Sequence, residues 1–319
     1  MKSMYDRRSF LKATAIASAA TVLSFPRSMA SPRGSRKFRM SLNPGAIGVN
    51  VNQEELLEAA VKHGFEAIIP YSGTLAEWND EQIKAFTEKM SSSNITWGAG
   101  GLPYNFRGEK EAQEKGIQEL PKHARALEKA GVTRMSTWIM PTHPTLTYLQ
   151  NMDLHASRLK EAVKILGDHG IKFGLEYVGP KTLMASQKFS FVHSMAECQE
   201  LIDAIDEPNV GFQLDSFHWF CAGETKEDLT KLNKEIIVTV DLNDARKGYT
   251  ADEQIDGKRE LPMATGVIDM KSFMEALVEI GYDGPVRAEP FNQPLRDMEN
   301  EEALQATYTA MKKAFTLVE

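Results

Sequence analysis

A single parallel (β/α)8 barrel is the fold class that this 319-residue sequence predicts, and three observations predict it. Short apolar runs alternate with segments whose apolar residues recur at helical spacing, from the end of the first basic stretch to the C-terminus. About eight such units follow one another, which suits a closed barrel better than an open doubly wound sheet. No G-x-G-x-x-G follows the first apolar run, so a dinucleotide-binding fold loses its main support. No stretch rich in Pro, Gly or Ser divides the chain, and one domain is expected over residues 31–319.

Ahead of that domain, residues 1–30 read as an address. Asp6-Arg7-Arg8-Ser9-Phe10-Leu11-Lys12 is a twin-arginine pattern, an Ala-rich apolar stretch runs from Ala13 to Phe25, and Ser28-Met29-Ala30 offers small residues for a signal peptidase. The apolar part is too short to span a bilayer core of about 30 Å, and no other stretch is long and apolar enough, so stable membrane insertion is not expected. The expectation is a protein exported to the periplasm through the twin-arginine route, which carries folded chains and suits a metal chosen in the cytoplasm.

The strands are expected to end near Leu42, Tyr71, Gly100, Met140, Tyr177, Phe217, Asp241 and Phe291. The periodicity predicts helices over Gln53–His63, where Leu56, Leu57, Ala60 and Val61 form an apolar stripe, and then over Asp80–Met90, Glu111–Ala130 and Asp153–Asp168. Further helices are predicted over Ser194–Ile205, Lys226–Asn233 and Met270–Ile280, with a last one from about Glu299 to Phe315. Gly64, Gly131, Gly170 and Gly281 each stand just after a helix, a favoured stop.

Barrels of this class carry their chemistry at the C-terminal ends of the strands. Four late strands each deliver an acid there: Glu176 in Gly174-Leu175-Glu176-Tyr177, Asp215 in Gln213-Leu214-Asp215, Asp241 in Val238-Thr239-Val240-Asp241, and Glu289 in Ala288-Glu289-Pro290. One acid at a strand end is most often a helix cap or a surface ion pair. Four in successive strands, each after an apolar run, need a cation or protons, because burying even one uncompensated carboxylate costs several kcal/mol. Oxygen donors favour a hard divalent ion, Mn²⁺ or Mg²⁺, over zinc. Asp244, three residues past Asp241, is the alternative donor. His218, three residues beyond Asp215, is a candidate catalytic group. Lys181, His143 and Trp138 are candidates to bind substrate.

At these residues the chain resembles the xylose isomerase-like TIM-barrel superfamily, the sugar phosphate isomerase/epimerase group. The resemblance is clearest in Gly174-Leu175-Glu176, Gln213-Leu214-Asp215-Ser216-Phe217-His218, Asn243-Asp244-Ala245 and Ala288-Glu289-Pro290. It implies one divalent metal held by Glu, Asp, His and Glu. Glu176, Asp215 and Glu289 match three of those positions, and Asp241 stands where similar members have His. Ketose 3-epimerases of the group carry a further Glu six residues past the first, and this chain has Thr182 there.

The chemistry so implied is proton abstraction beside a carbonyl of a sugar, with Glu176 or Glu289 as base and His218 as proton carrier. Return of the proton makes an isomerase or epimerase. Loss of a β-leaving group makes a lyase acting on a 3-keto-glycoside, and a barrel without catalysis would be a sugar-binding protein. The charge balance argues against nucleic acid as a partner. The chain carries a net −7, and without the six ionised residues of 1–30 (five basic, one acidic) the balance is 32 basic to 43 acidic side chains. The two cysteines, Cys198 and Cys221, are expected as buried thiols.

Overall fold

The computed structural model describes residues 36–319, which belong to one compact unit, Gly34–Glu319. The twin-arginine pattern and the boundary at residue 30 lie outside the described residues. Eight positions around a barrel are filled in chain order by β1 (Arg39–Leu42), β2 (Ala67–Ile68), β3 (in two pieces, Thr96–Trp97 and Gly100–Gly101), β4 (Arg134–Trp138), β5 (Lys172–Glu176), β6 (Val210–Asp215), β7 (Ile237–Leu242) and β8 (Pro285–Ala288). All neighbours in this sheet pair in parallel.

Closure depends on β3. Its first piece pairs with β2 and its second with β4, so a single bent strand joins the two sides of the sheet. Gly98 makes the bend, donating to Ile68 O at 2.7 Å. A Cβ on Gly98 would stand 2.5 Å from Ser41 Oγ, so a larger residue there would have to displace the buried Ser41 hydroxyl.

Helices cover the outside and bury one stripe each. Gln53–His63 starts at the Asn52–Glu55 capping box and stops at Gly64 (φ 87°). Met270–Ile280 is capped by Asp269 and ends at Gly281 (φ 77°). Leu56, Leu57 and Ala60 are buried as the stripe predicts, but Val61 is 50% exposed, because one residue further turns the side chain by about 100°.

Several strand ends fall earlier than expected. β2 stops at Ile68, since Pro70 has no N–H to continue the ladder, and β8 stops at Ala288 before Pro290. β6 ends at Asp215 rather than Phe217. Asp215 caps a short helix, Ser216–Ala222, which turns Phe217 and His218 across the barrel mouth. A two-stranded antiparallel ribbon, Thr142–His143 with Phe189–Ser190, sits beyond β4 and β5. Among the described residues no helix is long and apolar enough to cross a membrane.

Candidate active site

Parallel register sets the site. Trp138 pairs with Glu176 across β4 and β5, Asp215 with Asp241 across β6 and β7, and Asp241 with Arg287 across β7 and β8. Glu289 follows β8, tied by its N–H to Leu242 O at 3.3 Å. The four predicted carboxylates therefore converge. Glu176, Asp215, Asp241 and Glu289 each offer an oxygen, and all four atoms lie within 4.8 Å of one another.

Two buried arginines share this charge. Arg287 Nε donates to Asp241 Oδ1 at 2.5 Å and its Nη2 to Oδ2 at 3.1 Å, while Gln213 Nε2 donates to the same Oδ2 at 2.7 Å. Arg259 reaches in from the loop after β7. Its Nη1 lies 2.8 Å from Asp215 Oδ2 and 3.3 Å from Glu289 Oε2, and its Nη2 lies 2.7 Å from Asp256 Oδ1. The Phe217 and Phe291 rings flank its guanidinium at 5.0 and 4.5 Å. Asp215 also accepts from the Phe217 N–H at 2.6 Å and from Asn243 Nδ2 at 2.9 Å.

Positive charge still falls short of negative. Burial, then repulsion from Glu289, Asp241 and Asp215, raises the Glu176 carboxyl well above its ordinary range. Burial and then Asp241 push Glu289 up to about 8, against Arg259 and Arg287. Asp215 rises to about 6, again chiefly through burial, with Arg259 opposing. Burial depresses both guanidinium groups, but the surrounding acids outweigh it and raise them. Glu176 Oε1 is buried and has no hydrogen-bond partner. An unpartnered carboxylate oxygen, three acids pushed toward protonation and four converging carboxylates, with His218 grouped beside Glu176 and Asp215, fit a divalent cation. Asp241 is the weakest of the four donors, since Arg287 and Gln213 already hold both of its oxygens.

A cavity of about 320 Å³ opens over the cluster, lined among others by Trp138, Glu176, His218, Arg259, Glu289 and Phe291. His218 is fully buried, and burial together with Arg259 keeps its ring neutral. Its Nε2 lies 3.8 Å from Glu176 Oε1 and 3.2 Å from Arg259 Nη2, while Gly179 N–H points at its Nδ1 from 3.3 Å. A neutral imidazole accepts at one nitrogen only, so one of the last two contacts is a close approach and not a hydrogen bond. Gly179 permits that approach, because a Cβ there would stand 2.4 Å from His218 O.

Other predicted residues sit elsewhere. Lys181 is exposed, pairs with Asp252 at 2.7 Å and does not line the cavity. It stands past the end of β5, where the loop carries it outward to the turn at Ala251–Glu253. His143 lines a neighbouring cavity, and its Nδ1 accepts from the Leu146 N–H at 2.8 Å. Trp138 lines both cavities. Asp244 is no alternative donor: it accepts from the backbone N–H of Ala245, Thr265, Gly266 and Ile268 and so holds the loop after β7. Cys198 and Cys221 are free and buried.

Sequence reasoning missed Arg287, Arg259, Gln213 and Asp256. Arg287 was visible in principle, because a basic residue two positions before Glu289 along an extended run shares its face. Arg259 lies in a loop without periodicity, and nothing in the sequence aims it at the barrel axis.

The family described as xylose isomerase-like TIM barrel matches residues 57–314, and the chain belongs to it. An inosose isomerase of Bacillus velezensis is 24% identical over 275 residues, covering 84% of this chain and 94% of that protein. Inosose isomerases of Halalkalibacterium halodurans and Bacillus subtilis are 28% and 29% identical, each over 50% of this chain. Those two matches span about half of the relatives' length, 55% and 53%. A xylose isomerase domain protein from Alicyclobacillus acidocaldarius superposes with a TM-score of 0.77 at 28% identity, over 88% of this chain and 99% of that one. The structure of the IOLI protein with a binding zinc atom superposes with a TM-score of 0.71 at 21% identity, over the same shares, and supports the fold.

Raised carboxyl groups make stability depend on pH in a defined direction. The unfolded chain releases the Glu289 proton near the ordinary 4.5, whereas the folded chain keeps it to about 8. The folded state therefore binds more protons in that interval, and stability falls as pH rises through it. Metal-stripped protein is expected to lose thermal stability steadily between pH 5 and pH 8.5. A saturating divalent ion should flatten that slope, as calorimetry at matched ionic strength will report.

Proposed function

We propose, starting from the chain's membership of the xylose isomerase-like TIM-barrel family, that it is a divalent-metal-dependent sugar isomerase or epimerase. The observation that carries this reading is the convergence of Glu176, Asp215, Asp241 and Glu289 at one end of the barrel, with Glu176 Oε1 unpartnered. Inosose isomerases among the relatives, and a ketose 3-epimerase of Arthrobacter globiformis that is 25% identical over 39% of this chain and 37% of its own length, support a sugar as the substrate class. Mn²⁺ or Mg²⁺ suits the oxygen donors best.

Glu176, Asp215 and Glu289 would hold the ion, with Asp241 as a fourth donor whose charge Arg287 offsets. When bound, the ion supplies Lewis acidity toward a sugar carbonyl and its neighbouring hydroxyl. Glu176 or Glu289 removes the proton from the carbon beside that carbonyl and returns it. Neutral His218, 3.8 Å from Glu176, carries a proton to or from substrate oxygen. Arg259, clamped between Phe217 and Phe291, offers a fixed positive charge at the cavity wall for the oxygen on which negative charge develops.

One observation favours a second outcome. Thr182 stands where the resemblance to ketose 3-epimerases calls for a second acid, and its hydroxyl donates to Gln254 O at 2.6 Å. β-Elimination from a 3-keto-glycoside needs one base and a proton donor to the leaving oxygen, which Glu289 and His218 supply. The export pattern Asp6–Lys12 belongs to the same proposal, since glycosides are met outside the cell. Fractionation of cells expressing the full chain is expected to find it in the periplasm and to find Arg7→Lys/Arg8→Lys in the cytoplasm. Equal distribution of the two would remove export from the reading.

The reaction itself is tested by proton NMR in D₂O, with free ketoses and 3-keto-glucosides offered to Mg²⁺-loaded protein. Deuterium is expected to enter at the carbon beside the carbonyl, with a new isomer or a released aglycone deciding the outcome. Glu289→Gln should lower the exchange rate by about 10²–10⁴-fold while leaving the circular dichroism spectrum unchanged. A variant as fast as the parent would remove Glu289 from the chemistry.

A further inference from the structure

Beside the carboxylate cavity lies a second one of about 360 Å³, and the two share Trp138 and Met140 as a common wall. Their linings differ in charge, three acids against the single Arg259 in the first. Glu176, Asp256 and Glu289 line the first. Among the described residues no acid lines the second, although the whole chain is net negative, whereas Arg107 and Arg158 both do.

Neither arginine has a carboxylate partner among the described residues. Arg107 lies flat on Trp138, with its guanidinium carbon 3.9 Å from the ring centroid, and one of its nitrogens donates to Trp138 O. Arg158 spends one nitrogen, Nη1, on the carbonyls of Phe106 and Gly108, each at 2.9 Å. A guanidinium carries five N–H groups in a planar fork, so donors remain on each. Burial lowers the Arg107 guanidinium to about 10, as expected of a positive charge whose balancing anion is not supplied by the fold.

The same cavity carries two buried acceptors with nothing to accept. His155 sits between Phe106 and Phe191, and its Nδ1 faces Asn151 O at 2.9 Å, which places the ring proton there. Its Nε2 is left with a lone pair and no partner, and Asn151 Oδ1 is likewise unpartnered. Both residues are more than nine-tenths buried. Acceptors of this kind call for hydroxyl donors, and two guanidinium groups lining one acid-free cavity call for an oxyanion.

We propose that this second cavity is a substrate subsite that takes an oxyanion-bearing, hydroxylated part of the sugar, a carboxylate or a phosphate ester. Arg107 and Arg158 bind the anion there, and His155 and Asn151 accept from hydroxyls. The inference rests on the sugar reading of the carboxylate site and adds a substrate class to it. A substrate with charge at one end is thereby oriented: its neutral hydroxyl-carbonyl end faces the carboxylates, which repel the other end.

Isothermal titration of the full chain with D-glucose, D-glucuronate, glucose 6-phosphate and inorganic phosphate tests this, with and without Mg²⁺ at constant ionic strength. At least one anionic sugar is expected to bind about tenfold tighter than glucose, roughly the value of one charge-assisted contact. Whether that is glucuronate or the phosphate ester identifies the oxyanion, and either supports the subsite. Arg107→Gln should lower the affinity for the anionic sugar about tenfold, to that of glucose, and Arg107→Lys should restore part of it. Equal affinity for glucose and both anionic sugars would overturn the proposal. So would a loss in Arg107→Gln shared equally by glucose, or inorganic phosphate binding as tightly as the ester. An anion preference in a protein that takes up no Mg²⁺ would leave the subsite standing and sink the carboxylate-site reading alone.

Discussion

Four carboxylates cannot share the mouth of one barrel as anions unless positive charge is brought among them, and much of this structure follows from how that charge is supplied. Asp241 is neutralised within the sheet by Arg287, its partner in register on β8. Asp215 and Glu289 share Arg259, which comes from a loop and is held by two aromatic rings. Glu176 receives no hydrogen bond at Oε1, and burial with the neighbouring acids raises its carboxyl well above its ordinary range. The deficit is thus concentrated on one side of the cluster, facing the cavity, where an ion and a substrate can reach it.

That distribution also accounts for an aspartate at position 241. An aspartate there adds a charge, and an arginine two residues before Glu289 removes it again. The pair is buried and bidentate, so breaking it from either side would leave an uncompensated charge, a change that costs about 3–5 kcal/mol in comparable sites. Asp241 and Arg287 are therefore best understood as one unit.

How much of this was legible in the sequence depends on where each residue sits. Helical periodicity and glycine stops placed Gln53–His63 and Met270–Ile280 to the residue, because both are amphipathic with strong caps. The four carboxylates were legible because a strand end has a known position relative to the barrel axis. Loop residues carry no such information. Lys181 was expected near substrate and instead pairs with Asp252 at the surface, whereas Arg259 gave no signal and reaches the centre. The acid-free cavity was hidden for a different reason: Arg107 is far along the chain from His155 and Arg158, and only the fold of the loops after β3 and β4 onto the helix Tyr148–Gly167, which carries both, brings them together.

The central claim is that the carboxylate cluster is completed by one divalent ion. Elemental analysis of protein stripped of metal, reloaded with Mn²⁺ or Mg²⁺ and freed of excess ion tests it most directly. The account predicts one ion per chain in the parent protein and none in an Asp215→Asn/Glu176→Gln variant that keeps its fold. A parent protein that retains no ion, or a variant that retains as much as the parent, would contradict it.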